Sequence, residues 1–171
     1  PGLAGVVERT VMAEPVRSEF GRAPCSRAGH HAYLGGLLEH TVSVATLVGE
    51  VCQLHPKLNS DLLMAAAIVH DVGKVREFSL GAEIELSAEG RALGHLAIGA
   101  EIVGAATAGL DEERRLALLG CVLSHHGSDQ GPSRGRGGGG TRSGFPSAEA
   151  LALYRLNALD ASVKNALEHG V

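Results

Sequence analysis

Apolar residues along this chain recur with a helical rather than an alternating period, and polar or glycine-rich breaks divide them into segments. The clearest stripe is Leu34, Leu37, Leu38, Thr41, Val44, Ala45, Val48 and Val51, which predicts a long helix from about Tyr33 to Cys52. Pro56 closes that region, and Asn59 or Ser60 is placed to cap the next helix, with Asp61 in its first turn. This second helix runs through Leu62, Leu63, Ala66, Ile68 and Val69 to His70-Asp71, where Gly73 ends it. Upstream, Leu3, Val6, Val7, Val11 and Val16 give a looser helical period over 3–20, with Pro15 set to kink or stop it. The stretch from Gly21 to Gly29 reads as a loop.

Downstream, Phe78, Leu80, Ile84 and Leu86 alternate around Gly81, which suits a loop or a short hairpin. A helix from about Ala92 to Ala108 carries His95 in its first turn, after Gly94, which is read as permitting close approach. Asp111 caps a helix through Leu116, Leu119 and Val122 that ends at Ser124-His125-His126-Gly127. Residues 128–145 are rich in Gly, Ser and Arg and read as a flexible insertion. Ser147 caps a last helix with Leu151, Tyr154, Leu156, Leu159 and Val163 on one stripe. The fold class predicted is all-α, a single domain over 1–171 of about six helices, with 1–22 as an N-terminal helical extension.

Composition narrows the function. Aromatic residues are only 3%, so the core must be built from Leu, Ala, Val and Ile, which favours packed helices. A net charge of −4 excludes a broad basic surface, so any nucleic acid has to be held locally in a cleft. Cys25, Cys52 and Cys121 are too scattered for a disulfide framework and point to a reducing compartment. No apolar run reaches the ~18 residues of a membrane span, and the start lacks the pattern of a signal peptide. The expectation is a cytoplasmic protein without a membrane partner. Residue 1 is Pro rather than Met, so a longer chain with an additional N-terminal domain is expected, and a homo-oligomer is left open.

Nine histidines are the informative count, because several sit in pairs or beside Asp near helix ends. The pair His70-Asp71 closes a very apolar helix, and burying imidazole and carboxylate together is costly without a partner. A divalent metal satisfies both, since His offers a neutral nitrogen and Asp can bridge two ions. One such dipeptide is a weak signal. Here, however, His40 lies on or beside the buried stripe of the preceding helix, and His95 opens a later one. His125-His126 ends another helix, and Asp160 lies among Leu156, Leu159 and Val163. Five segments each offering a metal-ligand type are poorly explained by coincidence.

The order His40, then His70-Asp71, then a late Asp resembles the HD superfamily of metal-dependent phosphohydrolases, with His95 and His125 similar to its two-metal branch. The runs His30-His31-Ala32-Tyr33-Leu34-Gly35-Gly36-Leu37-Leu38-Glu39-His40-Thr41 and His70-Asp71-Val72-Gly73-Lys74 with Glu77 extend the likeness. So do Leu93-Gly94-His95, Leu123-Ser124-His125-His126-Gly127 and Leu159-Asp160-Ala161, and together they resemble the C-terminal HD domain of YhaM-type 3′-to-5′ exoribonucleases. The resemblance implies an HD-domain helical bundle and a phosphodiesterase holding one or two divalent ions of Mn, Fe, Mg, Co or Ni. The substrate implied is a nucleotide or single-stranded nucleic acid.

Two departures from the family pattern matter: the insertion Gly131 to Gly144, where the family has a short segment ending in Pro and Pro146 plays that part here, and the final ligand position. The family's usual final ligand position is Asn157 here, and Asp160, three residues on, is expected to take over. Gly36 stands where trinuclear relatives carry Glu, so at most two ions are expected. The expected metal ligands are His40, His70, Asp71, His95, His125 and Asp160. Asp71, Lys74 and His126 are assigned to catalysis, and Lys74 and His31 to substrate, His31 being equally readable as support for His40. A nucleotide or cyclic-dinucleotide hydrolase, and a non-catalytic binding module, are the competing readings.

Overall fold

The computed structural model describes residues 2–127 and 144–170. Most of the Gly-rich insertion predicted for 128–145 therefore lies outside the described residues. Helices dominate, as the apolar periodicity predicts: α1 (Leu3–Val11), α2 (Val16–Phe20), α3 (Gly36–Leu54), α4 (Ser60–Val69), α5 (Lys74–Glu77), α6 (Ala88–Ala106), α7 (Glu112–Ser124) and α8 (Ala148–His169). The short strands β1 (Phe78–Leu80) and β2 (Ile84–Leu86) form an antiparallel hairpin, Phe78 opposite Leu86 and Leu80 opposite Ile84.

Helix α4 is the centre of the bundle. It is apolar all round, with Leu62, Leu63, Ala65, Ala66, Ala67 and Val69 buried, and it packs against α1, α3, α7 and α8. Val44 and Val48 of α3, Leu118, Cys121 and Val122 of α7, and Ala150 and Leu153 of α8 complete the core around it. The N-terminal segment packs against the bundle. Val6 and Phe20 are buried, α1 packs on α4 and α6, and the Arg9 guanidinium donates to the Ala106 carbonyl at the end of α6. An all-apolar α4 needs cover on every flank, and α1 supplies one.

Side-chain caps set the starts of α4, α7 and α8. Asn59, rather than Ser60, accepts from the Leu62 amide, Asp111 accepts from the Arg114 amide, and Ser147 accepts from the Ala150 amide. Helix α6 is broken at Gly94, whose φ of 70° no helix accommodates. Nothing lies within 4 Å of a side chain built there, so Gly94 supplies a left-handed turn rather than close approach. Close approach falls instead to Gly73, where a Cβ would meet the His95 carbonyl oxygen at 2.1 Å. Together these two glycines bring the end of α4 against the second half of α6, which His95 opens. Among the described residues no helix is long and apolar enough to cross a membrane.

Candidate metal centre

Four histidines from four elements converge on one carboxylate. Asp71, buried beyond the C-terminal end of α4, has His40 Nε2 at 3.6 Å and His70 Nε2 at 3.3 Å from its Oδ2. Its Oδ1 has His95 Nε2 at 3.5 Å and His125 Nε2 at 3.2 Å.

The outer nitrogens decide what the inner ones can do. His70 Nδ1 lies 2.8 Å from the Ala67 carbonyl and His125 Nδ1 2.7 Å from the Val122 carbonyl, so both Nδ1 atoms must carry the proton. His95 Nδ1 meets Glu77 Oε1 at 3.0 Å, and His40 Nδ1 meets Asp160 Oδ2 at 2.6 Å. A neutral ring protonated at Nδ1 presents a bare lone pair at Nε2. All four Nε2 atoms thus direct lone pairs at the oxygens of Asp71, which are lone pairs themselves. Asp71 Oδ1 and His125 Nε2 are buried with no hydrogen-bond partner. Such groups are expensive to leave unmade, and a cation satisfies both.

Electrostatics keep the set in its ligating state. Burial pushes the Asp71 carboxyl up, but the Lys74 ammonium outweighs it and holds it well below the ordinary carboxylate range. Burial lowers His125 to about 3, leaving its imidazole neutral. Glu77 is pushed up by burial but held below its usual value by the His95 ring and amide, both of which donate to it.

Two sets of donors share Asp71: His40, His70 and Asp71 on one side, and Asp71, His95, His125 and His126 on the other, each within 4.8 Å. His126 is exposed, with its Nε2 2.8 Å from that of His95, so it joins the second set on its solvent side. Asn157 Oδ1 stands 2.9 Å from His40 Nε2, beside the first set, its amide turned that way by Nδ2 donating to the His125 carbonyl.

Asp160, expected to take over from Asn157, also reaches His40. It sits on the Nδ1 edge of His40, and positions three apart on α8 have diverged to opposite edges of one ring. Lys74 and His31, expected to touch substrate, are both buried. Lys74 Nζ donates to Asp71 Oδ2 at 2.7 Å and to Cys25 Sγ at 3.3 Å. His31 lies between Tyr33 and Asp160. Burying a long cationic side chain requires a counter-charge, and Asp71 is the one within reach. Glu77, Asn157 and Cys25 line the centre without having been assigned to it. For Glu77 the sequence signal was its place six residues after Asp71 in the His-Asp run; Cys25 gave none.

The family model for the HD domain matches residues 37–162, a span containing every residue of both donor sets. The chain belongs to the HD domain family. Within this family it is similar to proteins named 3′-5′ exoribonuclease YhaM. That of Bacillus pumilus is 36% identical over 156 residues, covering 88% of this chain and 47% of the relative. That of Bacillus licheniformis is 39% identical over 114 residues, covering 66% of this chain and 36% of the relative. That of Bacillus subtilis is 38% identical over 112 residues, covering 64% and 36%. The chain thus spans less than half the length of these relatives. No solved structure matches it significantly. As an HD domain, the chain presents the His-Asp pair of the family as the hub of its ligand cluster, with Asp71 common to both sets.

Proposed function

We propose that this HD domain is a metal-dependent phosphodiesterase that removes nucleotides from the 3′ end of single-stranded RNA or DNA. The observation that carries the reading is the convergence of four imidazole lone pairs on the two oxygens of buried Asp71. His40, His70, Asp71 and Asn157 would hold one divalent ion, and Asp71, His95, His125 and His126 a second. Imidazole and carboxylate ligands suit Mn, Fe, Co, Ni or Mg. When bound, such ions supply Lewis acidity toward a phosphoryl oxygen and a water made nucleophilic at neutral pH.

The chain's own residues prepare that chemistry. Lys74 keeps Asp71 ionised, and Glu77 fixes His95 with its lone pair inward. The backbone carbonyls of Ala67 and Val122 do the same for His70 and His125. Half-buried His95 and exposed His126 leave one side of the second set open, which is where a phosphodiester enters. Exonuclease action is supported by the name shared by the relatives. A net charge of −4 leaves strand binding to the cleft and to a further domain of a longer chain, for which the relatives' extra length allows.

The test is a 3′-to-5′ degradation assay on 5′-labelled single-stranded RNA and DNA, alongside bis(p-nitrophenyl) phosphate and a cyclic dinucleotide, with Mn2+ or with chelator. The expected result is a ladder shortening from the 3′ end that chelator abolishes. Cleavage of the cyclic dinucleotide alone would redirect the substrate class. A chain that binds no Mn2+ and cleaves none of these would overturn the proposal.

A further inference from the structure

Beside the donor sets lies a second group of polar side chains, none of which faces the Asp71 oxygens. His31 is 1% exposed yet lies in the loop before α3, with a left-handed φ of 51° that side chains other than Gly uncommonly adopt. Its surroundings hold it there. Its amide donates to Glu168 Oε2 at 3.2 Å, and its carbonyl accepts from the Cys25 amide at 3.1 Å. Its Nδ1 lies 3.1 Å from the Tyr33 hydroxyl, which donates to Glu39 Oε2 at 2.7 Å. The remaining atom, Nε2, meets Asp160 Oδ2 at 3.1 Å, the same oxygen that accepts from His40 Nδ1 at 2.6 Å.

We propose that His31 is a positioning residue of the metal centre, clamping Asp160 so that this carboxylate holds His40 in its ligating tautomer. The inference rests on the metal-centre reading above. His40 has two ways to be neutral. With the proton on Nδ1 it donates to Asp160 and points a lone pair at the first donor set. With the proton on Nε2 it donates to Asn157 Oδ1, already at 2.9 Å, and its lone pair is lost to an ion. The Asp160 acceptor decides between them. An aspartate held by one contact can rotate away about its two side-chain torsions, whereas one held on the same oxygen by two imidazole nitrogens cannot do so without breaking both contacts. Outer partners of this kind fix the tautomer and ring orientation of ligating histidines. Here the grip comes from a residue on a separate loop whose backbone is itself anchored to α8 through Glu168.

Two substitutions separate this role from a packing role. His31→Asn tolerates the left-handed backbone and keeps a group near the Nδ1 position, but is too short to reach Asp160. His31→Gln places an N–H donor near the Nε2 position. Nitrogen-15 correlation spectra of the chelated chain report which His40 nitrogen carries the proton, the His40 signals being assigned by their loss in His40→Gln. The expected result is Nδ1–H in the parent and in His31→Gln, and a shift toward Nε2–H in His31→Asn. Mn2+ affinity, measured by the paramagnetic resonance of free Mn2+, falls roughly tenfold in His31→Asn and stays within about threefold in His31→Gln. Asp160→Ala leaves the loop intact and gives the same tautomer shift, which keeps the inference testable if His31→Asn does not fold. If His31→Asn or Asp160→Ala retains Nδ1–H, or if His31→Asn binds Mn2+ as tightly as the parent, the assignment is wrong. A parent chain that binds no Mn2+ sinks the metal-centre reading instead, a separate outcome.

Discussion

Asp71 Oδ1 and His125 Nε2 face each other 3.2 Å apart in the buried centre of the bundle, and no proton lies between them. The proton of the His125 ring is committed to the Val122 carbonyl, and the Asp71 carboxyl is held ionised by Lys74. Two acceptors in contact and away from water define a position that a cation relieves. The predictions follow from this relationship and from the side chains arranged around it.

Asn157, not Asp160, is expected to be the final ligand of the first set. Asn157→Ala should weaken the first Mn2+ by at least about tenfold, because it removes the oxygen beside His40 Nε2 and the amide that braces the His125 carbonyl. Asn157→Asp should bind more tightly than the parent, by adding a charge at the same place. Titration calorimetry with Mn2+ gives both values. An Asn157→Ala chain with unchanged affinity would return the ligand to another residue.

Glu77 orients His95 through both the ring and the amide. Glu77→Gln keeps the shape but allows an N–H to face His95 Nδ1, so the ring can turn or change tautomer. Loss of the second ion by about 10–100-fold, with the first ion retained, is the outcome expected from metal analysis across a titration. Equal loss of both ions would mean that Glu77 supports the fold rather than one ligand.

Lys74 stands in the metal-free chain as the counter-charge of Asp71. Lys74→Met leaves the carboxylate buried and unpaired, at a cost of about 3–5 kcal/mol in the chelated protein. Saturating Mn2+ supplies positive charge to the same oxygens and should shrink that deficit. Urea unfolding with chelator and with Mn2+ measures the difference, and an identical deficit in both would assign Lys74 to packing alone.

The chelated chain should lose stability as pH falls below 6.5. Burial lowers His125 in the fold to about 3 from its ordinary 6.5, so between these values the unfolded chain binds a proton that the native chain does not. Stability from this group is complete above 6.5 and declines by roughly 1.4 kcal/mol per pH unit, or about 2 kcal/mol by pH 5. His30, lowered by burial to about 4, acts in the same direction. His125→Gln should flatten the dependence of the urea midpoint between pH 7.5 and 5, whereas a parent midpoint that ignores pH would contradict the neutral buried ring.

Local pattern by itself determined the helices, their caps and the residue types of the centre. Apolar periodicity marks α3, α4, α7 and α8, and Asn59, Asp111 and Ser147 announce the starts of the last three, because caps and stripes are properties of short stretches of chain. The His-Asp pair and the histidines at helix ends were legible for the same reason. What only the tertiary structure decided is which edge of each side chain faces the centre. Asn157 and Asp160 are one turn apart on α8, and nothing in their spacing says that one meets Nε2 of His40 and the other Nδ1. Lys74 and His31 carry the chemistry of phosphate contacts, but packing buries them and turns both toward carboxylates of the centre instead. Sequence spacing fixes a residue's place on its own helix. The ring edge it meets depends on how that helix packs against its neighbours, and this is set by core contacts far from the site in sequence, such as those that α4 makes with α1, α3, α7 and α8.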